Sequence, residues 1–393
     1  MGARLRAWQA VARGTSRRDV GLARALAYGA AAMARFRIRG VLPSDHDDLV
    51  RVAHHLNSVN LPDDASAISA IVDASVRSFS GQERDARRAE YVFVLEDLEQ
   101  QRVVGTSMIF GQLGRRDAPY IYFDVRSEEK YSSSLDRHFH HTVLRIGYSY
   151  DGPTEIGGIV LLPDYRLAGE RLGQFLSYVR FLFIASHRER FCDEVLAELL
   201  PPLEPDGKSH LWEALGRHFT GLTYLEADKL SKKNKEFIKG LFPEGDVYAS
   251  LLPADAQRVI GEVGAQTKGV EKLLERIGFR YCERIDPFDG GPHFLANTDE
   301  ITLVHESRRA RLAATPEALE HPVAHKALVA TESERPPYWR SVLVPFEAHE
   351  DGAITLAEQD ASAIAAKAGD EVLFLPLRPD TRKRRHRKPA HAR

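Results

Sequence analysis

Cysteine is nearly absent. Cys192 and Cys282 are the only two in 393 residues, which rules out a disulfide framework and fits a reducing, cytoplasmic setting, with one bridge the most the count allows. No run of about 18 apolar residues occurs, so no membrane-spanning helix is expected. No internal repeat is visible. What is present is ordinary: hydrophobic residues make up 43% and charged residues 28% of the chain. That balance excludes a collagen, a low-complexity polymer and a fully disordered chain. The length leaves room for about two to three domains.

The formal net charge of −2 hides an uneven distribution. Residues 1–32 carry six Arg and one acid, and residues 381–393 carry seven Lys or Arg and no acid. The body between them therefore holds a surplus of about 14 acids. A body that acidic argues against a nucleic-acid-binding surface. The first 32 residues read as a transit peptide or as an extension upstream of a start at Met33, and they are set aside from the fold. The basic tail 381–393 reads as a solvated, disordered end, although Arg382–Lys388 has the composition of a phosphate-seeking arm.

Between these ends strands and helices alternate. Phe36 to Val41 reads as a strand, and Ser44–Asp47 offers N-cap chemistry for a helix through Leu49, Val52 and Leu56. Residues 66–80 form an amphipathic pattern. Residues 91–95 and 103–109 read as a hairpin. Tyr120–Val125 and Glu155–Leu161 are further strands. Leu172, Phe175, Leu176, Val179, Leu182 and Phe183 recur at helical steps. Residues 190–255 read as helices and connections. A helix over 267–276 runs into Gly278 and the strand Arg280–Ile285. Residues 315–337 look like a linker, after which short strands return at 341–344 and 371–375.

The stretch Glu155 to Arg171 carries the chemistry. A strand ends at Pro163, a loop with Arg166 and Gly169 follows, and a helix begins. Backbone N–H groups and the positive end of a helix dipole are thereby placed where a pyrophosphate can sit. Gly157 and Gly158 loosen the strand and mark a bulge. This arrangement resembles motif A of the GNAT acyltransferases, whose Arg-x-x-Gly-x-Gly/Ala loop cradles coenzyme A. Arg171 replaces the last small residue. Val270 to Arg280, a helix running into Gly-Phe and a strand, resembles motif B.

Further blocks make the resemblance closer. They include Tyr91–Asp97, Pro163–Arg166, Ser177–Ala185, Ala197-Glu198, Leu211–Phe219, Ala256–Gly261 and Gly278 through Pro292. Taken together they are similar to the arginine N-succinyltransferase family, in order from about residue 36 to 380. The resemblance implies a mixed α+β, GNAT-like acyl-CoA N-acyltransferase domain over 33–310. It would carry a helical insertion at about 190–255, with a linker and small β-rich C-terminal part over 311–380. It implies succinyl transfer from succinyl-CoA, a co-substrate rather than a permanently bound cofactor, to the α-amine of L-arginine.

The site residues follow from the same resemblance. Ile159 stands where the family places a succinyl-CoA-binding Leu. Val160, Arg166, Gly169 and Arg171 complete the acyl-CoA set. Backbone around Gly158 to Val160 would meet the developing oxyanion. The family's proton-donating His is replaced by Gly264. Glu155 is then the first candidate for the base, Glu262 beside the lost His a second, and Tyr281 a proton donor to the thiolate. Asp286 and Asp289 would grip the guanidinium together. Turn capping before Gly290 is the other use open to Asp289, and His218 reads as structural. His138, His140 and His141 lack a Cys or carboxylate at ligand spacing, so no metal site is expected. Gly157, Gly158 and Gly264 leave open a different acyl-CoA or amine, and Gly264 with Arg171 a catalytically impaired, CoA-binding relative. A homo- or hetero-oligomer fits either case.

Overall fold

Buried Phe36 and Ile38 place the first strand, β1 (Phe36–Gly40), inside a sheet rather than at its rim. The computed structural model describes residues 34–54, 62, 64–116, 118–166, 171–204, 207–231 and 234–377. Helices α1 (His46–Ala53) and α2 (Ala65–Phe79) follow and bury Leu49, Val52, Ile68 and Val72. Asp64 caps α2 by accepting from the Ala67 amide at 2.9 Å. The cap expected from Ser44–Asp47 takes another form. Buried Asp45 holds Arg39 with both oxygens, at 2.7 and 2.9 Å, and α1 starts after it.

The expected hairpin is β2 (Glu90–Asp97) with β3 (Arg102–Phe110). A second hairpin, β4 (Tyr120–Ser132) and β5 (Arg137–Ser149), is much longer than the expected strand at 120–125. Its outer half is highly polar, with little apolar alternation to reveal it. Then come β6 (Thr154–Leu161), helix α3 (Leu172–Ser186) and β7 (Glu194–Glu198). After them lie β8 (Val247–Tyr248), α4 (Lys268–Ile277), β9 (Arg280–Ile285) and β10 (Pro292–Asn297). The C-terminal strands are β11 (Arg308–Ala314), β12 (Ala327–Glu332), β13 (Trp339–Val344), β14 (Glu347–Ala348), β15 (Ile354–Thr355) and β16 (Glu371–Pro376).

Among the described residues these strands form one sheet, ordered β14-β15-β11-β16-β12-β13-β1-β2-β3-β6-β7-β10-β9-β4-β5-β8. Two expectations are corrected here. The stretch read as helical from 190 contains β7, whose five residues are too short to show a period. The stretch read as a linker over 315–337 contains β12, which pairs with both β13 and β16. The C-terminal strands continue the same sheet, because β13 pairs with β1.

Three apolar clusters fill the molecule. One lies under α2 and α3. A second packs the helices between Trp212 and Val259 onto Ile121, Phe123, Leu144 and Ile285. A third lies among the C-terminal strands. The second cluster matters for the site, since Trp212 stacks on Phe288 at 5.0 Å between ring centroids and so anchors the β9–β10 turn. Both cysteines are free thiols. No helix among the described residues is long and apolar enough to cross a membrane.

Candidate active site

Strands β6 and β7 run parallel but pair only at Thr154 with Val195 and Glu155 with Leu196. Beyond that point they part. The flank of β6 from Ile156 to Leu161 is left without β7 as a partner, and a fork opens at Glu155. On its other side β6 keeps β3, with Met108 opposite Gly157 and Thr106 opposite Val160. Gly158 and Ile159 therefore face Ser107 alone, and a bulge results. Gly158 takes φ +58°, and an added Cβ there would lie 2.6 Å from Met108 Cγ and Sδ. The bulge expected from Gly157-Gly158 is present.

Behind the bulge, buried Arg180 of α3 donates from Nη1 to the Gly157 carbonyl at 3.3 Å. It also donates from Nε to the Ser177 carbonyl at 3.2 Å and from Nη2 to Ser177 Oγ at 3.1 Å. Burial works against its charge. A guanidinium on the Gly157 oxygen polarises that peptide and makes the Gly158 N–H a stronger donor.

The turn Asp286–Gly291 brings a second set of groups to the fork. Asp286 Oδ1 accepts from the Phe288 amide at 2.6 Å and the Asp289 amide at 3.3 Å. Gly291 packs so closely on β7 that a Cβ would sit 2.4 Å from the Leu199 oxygen. That approach seats β10 beside β7 with His293 opposite Glu198. His293, Glu198 and Asp286 each bring a ligating atom to within 4.8 Å of the others. This is the one group among the described residues close enough to share a metal ion; His138, His140 and His141 do not form one.

The fork is strongly acidic. Burial, then the charge of Glu198, pushes the Glu155 carboxyl up to about 8. The same two causes push Asp286 up to about 6. Burial also raises Glu198, although 34% of its side chain still meets solvent. The Lys235 charge lowers all three. Burial pushes His293 down to about 4, so its imidazole is neutral across the physiological range.

The sequence candidates separate accordingly. Glu155 is at the fork. Ile159 and Val160 lie on the unpartnered stretch of β6. Arg166 donates from Nε to the Leu161 oxygen at 2.9 Å, at the end of that strand. Arg171 is exposed at the N-terminus of α3, with φ +53°. Gly169 lies outside the described residues. Tyr281 on β9 is 37% exposed, and burial of its hydroxyl pushes it up to about 12. Glu262 is exposed on its loop and is not among the charges acting on Glu155, Glu198 or Asp286.

The paired grip of Asp286 and Asp289 is corrected. Asp289 is buried, accepts from the Gly291 amide at 2.8 Å and faces Tyr224. Its role is the turn, and Asp286 is instead paired with Glu198. Glu198, His293, Tyr120 and Lys235 were not singled out as site residues. Glu198 sits in a short strand and His293 just after Gly-Gly-Pro, and no spacing announces either.

Gly264 is walled in. Its amide donates to the Leu200 carbonyl at 2.8 Å, and a Cβ would lie 2.7 Å from the Pro201 oxygen and 2.9 Å from the Leu200 oxygen. Restoring a histidine there therefore displaces backbone. Gly264→His is expected to lower the melting temperature by several degrees without raising acyl-transfer rate. Thermal unfolding and a thiol-release assay check this. A separate pocket of about 290 Å³, lined by Phe183, His187, Glu332, Tyr338 and Trp339 among others, shares no residue with the fork.

Comparison with known proteins gives a consistent result. The family model described as arginine N-succinyltransferase beta subunit matches residues 36–303. The arginine N-succinyltransferase of Yersinia pestis (strain Pestoides F) is 32% identical over 355 residues, covering 88% of this chain and 99% of its own. That of Escherichia coli (strain 55989 / EAEC) is 32% identical over 344 residues, covering 86% and 97%. Among solved structures, arginine/ornithine succinyltransferase subunit AI from Pseudomonas aeruginosa matches with a TM-score of 0.75 at 27% identity. It covers 88% of this chain and 100% of that one.

Proposed function

This chain belongs to the arginine N-succinyltransferase family, and from that footing we propose that it transfers the succinyl group of succinyl-CoA to the α-amine of L-arginine. The observation that carries the reading is the fork: a strand edge left without β7, with a bulge, beside a cluster of partly exposed carboxylates. The edge suits a linear acyl-CoA, and the carboxylates suit a cationic amine.

Succinyl-CoA lies along β6 with its thioester by Gly158, Ile159 and Val160. Its pyrophosphate lies toward Arg166, Arg171 and the N-terminus of α3, where positive potential gathers. Gly169 belongs to that turn by sequence. Glu198 and Asp286 hold the cationic groups of arginine. The α-ammonium must lose a proton before it can attack, and Glu155, titrating near working pH, is suited to take it. The neutral amine adds to the thioester carbon. The oxyanion meets backbone N–H at the bulge. Collapse expels the thiolate, Tyr281 supplies its proton, and the second proton of the attacking nitrogen returns Tyr281 to its phenol form.

A steady-state assay with arginine, succinyl-CoA and a thiol reagent tests the reading; folded protein that releases no thiol above background removes it and leaves the impaired relative suggested by Gly264. Acetyl-CoA and other amines in parallel test donor and acceptor.

The acidic cluster adds a linked prediction. Carboxyls raised on folding bind more protons in the native state than in the unfolded one, so stability falls as pH rises. For Glu155 the window runs from 4.5 to about 8. Arginine neutralises the cluster. Its stabilising shift in melting temperature is therefore expected to be larger at pH 8 than at pH 5, accompanied by proton release on binding. Equal shifts at the two pH values would count against a cationic ligand at the fork.

A further inference from the structure

We propose that the pocket between α2, α3 and the β12–β13 connection is a second binding site, separate from the fork, for a free basic α-amino acid such as arginine.

Long-range packing sets its walls. Glu332 ends β12 and Trp339 opens β13, and the two are paired directly across the strands, so their side chains leave the sheet on one face. Phe183 of α3 meets the Trp339 ring edge-on at 5.2 Å and the Phe79 ring of α2 at 5.4 Å between centroids. His187, one turn further along α3, lies 4.4 Å from the Phe183 ring. The connection beside them is held by its own backbone. The Ser333 amide donates to the Tyr338 carbonyl at 2.8 Å, and the Tyr338 amide donates to the Arg335 carbonyl at 2.9 Å. Gly40 admits the Pro337 carbonyl, which a Cβ there would approach to 2.3 Å. The cavity these elements leave is about 290 Å³. That is the small end of the range for ligand pockets, enough for a molecule of about a dozen non-hydrogen atoms.

The lining selects the ligand. Aromatic rings beside two carboxylates, Glu332 and Glu334, suit an organic cation. Glu332 Oε1 stands 3.2 Å from His187 Nε2 and accepts from Ser186 Oγ at 3.4 Å, which fixes it against α3. Arg190 brings a guanidinium, the group best shaped for a ligand carboxylate. Burial keeps the His187 imidazole neutral near pH 7. The lining therefore carries two negative charges and one positive charge. A basic α-amino acid carries the reverse, two positive and one negative. A neutral amino acid leaves one Glu unmatched, and a simple amine leaves Arg190 unmatched. Trp339 adds a donor. It is fully buried, and its Nε1 has no hydrogen-bond partner among the described residues. A carboxylate brought into the pocket is the acceptor that this N–H lacks. No lining residue belongs to the fork, so occupancy here leaves the reacting groups uncovered.

Titration calorimetry and indole spectra test the proposal on the full chain. Without acyl-CoA, wild type is expected to bind two equivalents of L-arginine. The ¹⁵N–H signal of the Trp339 indole is expected to shift as the pocket fills. Glu332→Gln and Arg190→Gln, changes at partly exposed side chains, are each expected to remove one equivalent and leave kcat/KM for arginine within twofold. Asp286→Asn, at the fork, should keep the pocket's equivalent. On that variant agmatine, which lacks the carboxylate, and citrulline, which lacks the second cation, should bind at least tenfold more weakly than arginine. A Trp339 signal unmoved at saturating arginine overturns the proposal. So do two equivalents retained in folded Glu332→Gln and Arg190→Gln, a single equivalent that disappears in Asp286→Asn, or agmatine and citrulline binding that variant as well as arginine does. A single equivalent lost in Glu332→Gln and kept in Asp286→Asn supports the pocket and removes arginine from the fork, so the two readings fail separately.

Discussion

Glu155→Gln is expected to lower kcat for succinyl transfer by about 10²–10³-fold, the usual loss when a general base is removed. KM for succinyl-CoA should stay within about twofold, because in the proposed pose the acyl carrier meets the backbone of β6 and not this side chain. Stability should move the other way. Glu155 is half-buried beside Glu198 and Asp286, and its ionisation is opposed first by desolvation and then by the Glu198 charge. Gln has the same shape and no charge to expel. The melting temperature of the variant should therefore match wild type near pH 5 and exceed it at pH 8. Functional acids commonly cost stability in this way. Rate and unfolding measurements on one preparation test both halves. Undiminished kcat transfers the role to another group at the fork, while a Tm difference that does not grow with pH means that the carboxyl is not held protonated.

The second large effect is expected at the bulge. Gly158→Ala must place a side chain at φ +58°, where an L-residue costs about 1–2 kcal/mol. The new methyl also meets Met108 Cγ and Sδ at 2.6 Å and Cβ at 3.1 Å. Met108 is fully buried, so its side chain has little room to yield. The strand is expected to shift, carrying the Gly158 N–H out of line with the thioester oxygen. Displacements of about 1 Å in such groups cost about 10²-fold. A fall of at least that size in kcat/KM for succinyl-CoA is expected, with a melting temperature lower by a few degrees. The same variant should still bind desulfo-CoA, whose pyrophosphate is held some way off near α3. Full activity in Gly158→Ala would mean that the oxyanion is stabilised elsewhere.

The legibility of this molecule in its sequence follows the range of the interactions. Segments governed by local periodicity were readable. The hairpin β2–β3, strand β6, the apolar repeat of α3 and the helix into Gly278 all appear close to their expected bounds. Glycines at 157 and 158 announced the bulge, because only a loosened strand has a use for both. Features set by distant pairing were not readable. β7 is five residues long, and nothing in Glu194–Glu198 distinguishes a strand from a connection until β10 lies beside it. For that reason the sequence shows Glu198 only as part of a resemblance and not as a site residue. Asp289 looked like half of a guanidinium clamp, yet its oxygen is taken by the Gly291 amide two residues on. His293 acquires its meaning from Tyr120, a residue 173 positions away in sequence.

The pairing of β1 with β13 has a consequence for how the protein is made. Ser341 Oγ donates to the Ile38 carbonyl across 303 positions of sequence. The side of β1 that pairs with β13 therefore has no strand to bond until residues 339–344 have been synthesised. Until then that side of β1, with Phe36 and Ile38, stays open, and long-range closure of this kind is slow and prone to aggregation.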